Sequence, residues 1–155
     1  MSEAAVTSGA DQRLLTFEVA GSLYALPIDG VLEVAEATRM TCIPTLPTQI
    51  GGVVNYHGDA LPVVRCSSLF PIDESELCEP SNVLVVTDRA GDAPRLGLPV
   101  DRVLGLVDGH AADALPADAL WERRSIEGRV ANVIDPKRLV AQAREVIESS
   151  VGRRD

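Results

Sequence analysis

The segment Gly51-Gly-Val-Val-Asn-Tyr-His-Gly-Asp-Ala-Leu-Pro-Val-Val64 constrains the fold more than any other part of the chain. Two β-branched runs, Val53-Val54 and Leu61–Val64, flank a turn whose glycine, Gly58, takes positive φ without a steric penalty. This is a β-hairpin signal, and a three- to five-residue loop with a glycine bulge is expected in preference to a two-residue turn. Pro62 has no N–H for the ladder, so its strand is expected at a sheet edge or with a bulge. Gly51 and Gly52 either relieve crowding at a barrel corner or leave a spot where another backbone or a partner side chain approaches closely.

The same pattern of short runs punctuated by glycine and proline continues on both sides. Leu15, Phe17 and Val19 alternate with Thr16 and Glu18, a period-two strand that turns at Gly21-Ser22 and returns as Leu23–Leu26. Ile28–Glu36 fits a short helix by its spacing, and Val31–Val34 would also serve as a strand; one helical turn running into an extended piece is expected. Ile43–Pro47 carries two prolines and reads as a constrained connector. Ser67–Phe70 suits one helical turn, and Pro71–Pro80 a surface loop with four acids. Asn82–Thr87 is a nearly unbroken β-branched run, the mark of a strand buried on both faces. Arg95–Asp101, Arg102–Val107 and Ser125–Ile134 read as further strands, with bends implied by Gly97, Pro99 and Gly105. Gly97–Val107 faintly echoes Gly51–Val64, as equivalent hairpins in two related barrels would.

The last element is a helix. Asp135 is a good N-cap, Pro136 suits the first helical position, and Leu139, Val140, Ala143, Val146 and Ile147 share one face. Nine or ten short strands with one terminal helix define an all-β, barrel-type protein. Residues 1–12 are expected to form a disordered tail, residues 13–148 the domain, and residues 149–155 a frayed end.

Composition narrows the chemistry. Apolar residues make up 46% but aromatics only 3%, so aliphatic packing must supply the core. A net charge of −9 argues against a nucleic-acid partner. That charge is uneven: residues 1–120 hold six arginines against seventeen acids, and residues 121–155 eight basic residues against six acids. Such a body suits protein partners. Cys42, Cys66 and Cys78 form no C-x-x-C pair and read as cytosolic free thiols. No apolar run is long enough to insert in a membrane, and a cytoplasmic location is expected. His57 and His110 lie in no nucleophile or protease signature, zinc motifs are absent, and Lys137 belongs to no P-loop. No residue set supports catalysis, a metal or a cofactor; binding is the expected mode of action.

Four ordered blocks carry a resemblance. Leu15–Val19 with Tyr24–Val34, Ile43–Pro47 leading into Gly52–Val64, Leu96–Leu106, and Val130–Leu139 together resemble the CheW-like domain family over roughly Leu14 to Leu139. The resemblance implies two SH3-like five-stranded β-barrels sharing a hydrophobic interface, with a C-terminal helix. It implies a non-enzymatic adaptor that couples the cytoplasmic tip of a chemoreceptor to the regulatory domain of a CheA-type histidine kinase, in arrays held at the membrane through partners. It also implies receptor contacts at Val31, Glu33, Val34, Gly52, Asn55, His57 and Gly58.

The chain departs from that family in two places. His57 stands where the family usually has arginine, exchanging a permanent cation for a titratable imidazole, so any pair with Glu33 would be weaker at neutral pH. Arg65-Cys66-Ser67 replaces the usual Asp-Leu-Arg. These changes leave open an accessory regulator of another signalling cluster, or a stand-alone sensory domain that binds a small molecule between the barrels.

Overall fold

The structure, a computed structural model, describes residues 13–47, 49–76, 79–88, 93–110, 115–116 and 119–152. The tail expected at residues 1–12 and the thiol of Cys78 lie outside these residues. In chain order the elements are β1 (Arg13–Val19), β2 (Ser22–Pro27), β3 (Val31–Glu36), β4 (Met40–Thr41), β5 (Ile50–Tyr56), β6 (Asp59–Val64) and α1 (Cys66–Leu69). There follow β7 (Asn82–Val86), β8 (Leu96–Val100), β9 (Arg102–Asp108), β10 (Trp121–Ile126), β11 (Arg129–Ile134) and α2 (Pro136–Gly152). The terminal helix thus runs past the boundary expected at residue 148.

The strands form two sheets, one of order β10-β11-β2-β1-β9 and one of order β3-β7-β8-β6-β5-β4. The second gains its sixth strand from Met40–Thr41, which lies along Val53–Val54. Strand alternation divides the apolar residues between three clusters. Leu14, Leu23, Ala25, Ala131 and Val133 fill the first sheet's inner side, while Val54, Leu61, Val63, Val83 and Val85 fill the second's. Their neighbours Leu15, Phe17, Tyr24, Leu26, Leu84, Val86, Leu96 and Leu98 turn the other way and make one core shared by both sheets. This is why β7 reads as a continuous apolar run: each of its faces meets a different core. Ile28–Gly30 forms one 3₁₀ turn that leads into β3, as the ambiguous segment required.

The few aromatics are concentrated at that junction. Tyr24 stacks on Phe70 at 4.9 Å and on Phe17 at 6.0 Å, and Trp121 meets Tyr24 and Phe70 edge-on at 5.6 and 5.4 Å. Helix α2 covers the same core with Leu139, Val140 and Ala143, and the Asp135 carboxylate caps it by accepting the Lys137 N–H at 3.0 Å. Arg138, one turn in, donates to the carbonyls of Leu115 and Ala119 at 3.2 and 2.7 Å and to that of Pro116. That guanidinium pins the stretch before β10, which has little pattern of its own.

Three expectations are corrected. The β5–β6 turn is the two-residue His57-Gly58, both with positive φ (50° and 94°), not a longer bulged loop. The β1–β2 and β10–β11 hairpins close the same way, at Ala20-Gly21 and Glu127-Gly128. In each, an ordinary residue takes the left-handed position usually given to Asn, Asp or Gly, which hides the tight turn from sequence reading. Second, Gly97–Val107 is not a hairpin: β8 belongs to one sheet and β9 to the other, so this segment crosses between them. The likeness lies instead in the bulges, since Gly52 and Gly105 each sit at a shifted register. Third, Pro62 lies on an interior strand with no extra residue of its own, against the expected edge or bulged strand; the register shift of this hairpin falls on the partner strand, at Ile50/Gly52. Counting back from the tight turn, Val53–Pro62 is a non-hydrogen-bonded pair, so Pro62 aims its nitrogen at β8, which β6 meets at one bridge, Val63–Gly97.

Candidate functional site

Strand β3 ends its sheet and pairs with β7 alone, leaving its outer edge open. Val34 stands out from it with 42% of its surface exposed. After β3, the 3₁₀ turn Ala37–Arg39 swings the chain towards β4 and brings Arg39 back over both strands. Its guanidinium donates to Glu33 Oε2 at 2.8 Å and to the Asn55 carbonyl at 3.1 Å. The reason lies in the register: β4 pairs with β5 at Met40–Val54 and Thr41–Val53, so Asn55 is the first residue beyond β4's reach. Arg39 satisfies a carbonyl that the ladder leaves over. The Asn55 side chain then accepts the Gly58 N–H at 3.1 Å, which holds the turn, and His57 packs edge-on against Tyr56 at 4.3 Å.

One surface therefore gathers Glu33, Asn55, His57 and Gly58 through Arg39, a residue that sequence reasoning missed. The pair imagined between His57 and Glu33 is replaced by the Arg39–Glu33 salt bridge. Val34 shares β3 with Glu33 and is open to a partner; Val31 is half-buried and packs on the shared core. Gly52 differs from the rest. It is buried, and a Cβ there would lie 2.5 Å from the Thr41 carbonyl oxygen. The close approach foreseen at Gly52 is made by the chain's own β4, so a bulky residue there would displace β4 and not simply block a partner.

A second feature is a cleft of about 400 Å³ lined by Met40, Cys42, Val63, Arg65, Cys66 and Asp101, among others. Cys66 donates to the Pro99 carbonyl at 3.0 Å, and burial, with the nearby charge of Asp101, pushes its thiol up to about 12. It stays protonated and is no nucleophile at physiological pH. Asp101 accepts the Ala20 N–H at 2.8 Å, linking the cleft rim to the first sheet's turn. Among the described residues no cluster of His, Cys, Asp or Glu has metal-binding geometry, and no helix is long and apolar enough to cross a membrane.

Two curled sheets with a shared core and a terminal helix packed on it define a paired β-barrel protein. A family model described as the CheW-like domain matches residues 13–144, and the chain belongs to that family. Protein FrzA of Myxococcus xanthus is 30% identical over 106 residues, which cover 68% of this chain and 64% of that one. Chemotaxis protein CheW of Thermotoga maritima is 30% identical over 94 residues (61% and 60%), and protein PilI of Pseudomonas aeruginosa 31% over 107 (66% and 58%). The chain thus matches about three fifths of these relatives' length. A crystal structure of the scaffolding protein TtCheW from Thermoanaerobacter tengcongensis superimposes with a TM-score of 0.62 at 24% identity, over 83% of this chain and 91% of that one. The two sheets are accordingly SH3-like barrels, and the family to which the chain belongs is one of non-enzymatic scaffold and adaptor proteins.

Proposed function

We propose that the protein couples the cytoplasmic tip of a chemoreceptor to the regulatory domain of a CheA-type histidine kinase. In this reading the receptor's helical hairpin lies across β3 and the β5–β6 turn, touching Val31, Val34, Glu33, Asn55, His57 and Gly58. Gly52 contributes by letting β4 sit close, which sets the angle of that surface. The kinase domain docks on barrel edges, where free backbone groups and apolar side chains serve a neighbouring barrel. The observation that carries the reading is the Arg39 bridge, which orders polar groups from β3 and β5 around an exposed valine. Such an arrangement is an anchor with a polar rim. Attachment to the membrane is through the receptor.

The test is titration of the purified protein with a receptor-tip hairpin and with the kinase regulatory domain. Val34→Arg is expected to weaken receptor binding at least about tenfold while kinase binding and the melting temperature stay as they were. Equal receptor affinity in wild type and variant would remove the site. A second reading rests on the 400 Å³ cleft, into which two of the chain's unusual residues, Arg65 and Cys66, open. A sensory domain using it would be stabilised thermally by a small ligand and would ignore every kinase domain tested.

A further inference from the structure

Of the two glycines at the head of β5, Gly52 is accounted for by β4 and Gly51 is not. The register steps from Ile50–Val64 to Gly52–Val63, so Gly51 is the extra residue of the bulge. A Cβ built on it would meet nothing nearer than the Val63 carbonyl oxygen at 3.6 Å and the Arg65 side chain at 3.7 Å. Val63, Arg65 and Gly51 itself all line the cleft of about 400 Å³. The missing side chain relieves no crowding; it leaves room in the cleft.

Among the described residues, the walls of that cleft accept hydrogen bonds more readily than they donate them. Met40, Val63, Pro80 and Pro99 give apolar surface, and the two prolines have no N–H. The Cys66 thiol already donates to the Pro99 carbonyl. Glu79 and Asp101 set two carboxylates against the guanidinium of Arg65, which has an interaction of its own. Asp101 is half-buried and accepts the Ala20 N–H through Oδ2, and a carboxylate has about four sites for accepting hydrogen bonds. We propose that the cleft binds a small primary ammonium ion with a compact apolar body, its N–H groups on Asp101 and its body between Met40, Val63 and Pro99 beside Gly51. Glu79, exposed, adds negative charge at the mouth. No aromatic ring lines the cleft among the described residues, so a trimethylated ammonium, held best by aromatic faces, is the poorer fit. Asp101 lies where the chain crosses from β8 to β9 and holds the β1–β2 turn, so an ammonium on it meets both barrels. The proposal rests on the cleft being a ligand site and needs neither receptor nor kinase.

Phenethylamine and phenylpropionate, alike in body and opposite in charge, test it on the full chain. One readout is the melting temperature. The other is the alkylation rate of Cys42, which is exposed and lines the cleft, followed by peptide mapping with and without each probe. Phenethylamine is expected to raise the melting temperature saturably and to slow alkylation of Cys42, and phenylpropionate to do neither. Asp101→Asn keeps an oxygen for the Ala20 N–H and should weaken amine binding about tenfold or more. Gly51→Leu puts a side chain into the cleft from a position free of clashes, and should abolish the amine's protection of Cys42 while the chain stays folded. Protection by phenylpropionate in place of the amine would keep a ligand cleft and overturn the cationic class. Protection by neither probe, or amine binding unchanged in Asp101→Asn or in Gly51→Leu, would overturn the proposal outright.

Discussion

His57 occupies the first position of a two-residue turn with φ of 50°, where a side chain costs roughly 1 kcal/mol. His57→Gly is therefore expected to keep or raise stability by up to about 1 kcal/mol in urea unfolding, and to lower receptor affinity if the imidazole touches the receptor. A parallel loss of both would mean that the histidine holds the turn. Arg39→Met separates the two roles differently. Its salt bridge to Glu33 is 44% and 34% exposed, so stability should fall by less than about 1 kcal/mol. Binding should suffer more, because Glu33 and the Asn55 carbonyl lose their common partner. Glu18 offers a pH handle. The Arg102 guanidinium, with Arg129 on its other side, holds its carboxyl below the usual glutamate range. A folded value below the unfolded one means that the clamp contributes fully above the unfolded value, about 4.3, and fades as pH falls through the folded one. Glu18→Gln should flatten the acid limb of stability against pH, and an unchanged limb would show that the clamp contributes nothing.

At the scale of elements, the terminal helix makes the clearest prediction. Leu139 is fully buried beneath it, and Leu139→Ala should cost about 2–5 kcal/mol in chemical denaturation, whereas Asp135→Ala, which removes the cap, should cost about 1 kcal/mol. A smaller loss from Leu139 than from Asp135 would mean that the helix is not part of the core. This element was legible in the sequence because its cap, first-turn proline and apolar stripe agree with one another. β7 was legible for a different reason, since burial on both faces leaves a continuous apolar run. What escaped was set by contacts distant in sequence. The tight turns were hidden because Ala20, His57 and Glu127 give no local sign of positive φ. Arg39 was passed over because its importance depends on where β4 stops along β5. The assignment of β8 and β9 to different sheets follows from packing, and nothing between Val100 and Arg102 marks the crossing.

For the whole molecule, the decisive question is whether two barrels behave as one folding unit. Each has its own small interior cluster, and two independent interiors would permit two transitions. The shared core argues otherwise: it draws side chains from both sheets and from α2, so unfolding either barrel would expose apolar residues of the other to water. At about 1.5–3 kcal/mol for each large aliphatic side chain uncovered, that penalty rivals the total stability of a domain this size. Trp121, the one tryptophan in the chain, reports on the junction itself through its contacts with Tyr24 and Phe70. Its fluorescence and the far-ultraviolet circular dichroism of both sheets should therefore change together, with a single midpoint in urea. Phe70→Ala should lower that midpoint and keep one transition, because the aliphatic part of the core still spans both sheets. Two separated midpoints in the wild type would mean that the barrels are joined only by the chain, and a surface built from the relative placement of their edges could not then be held in register for its partners.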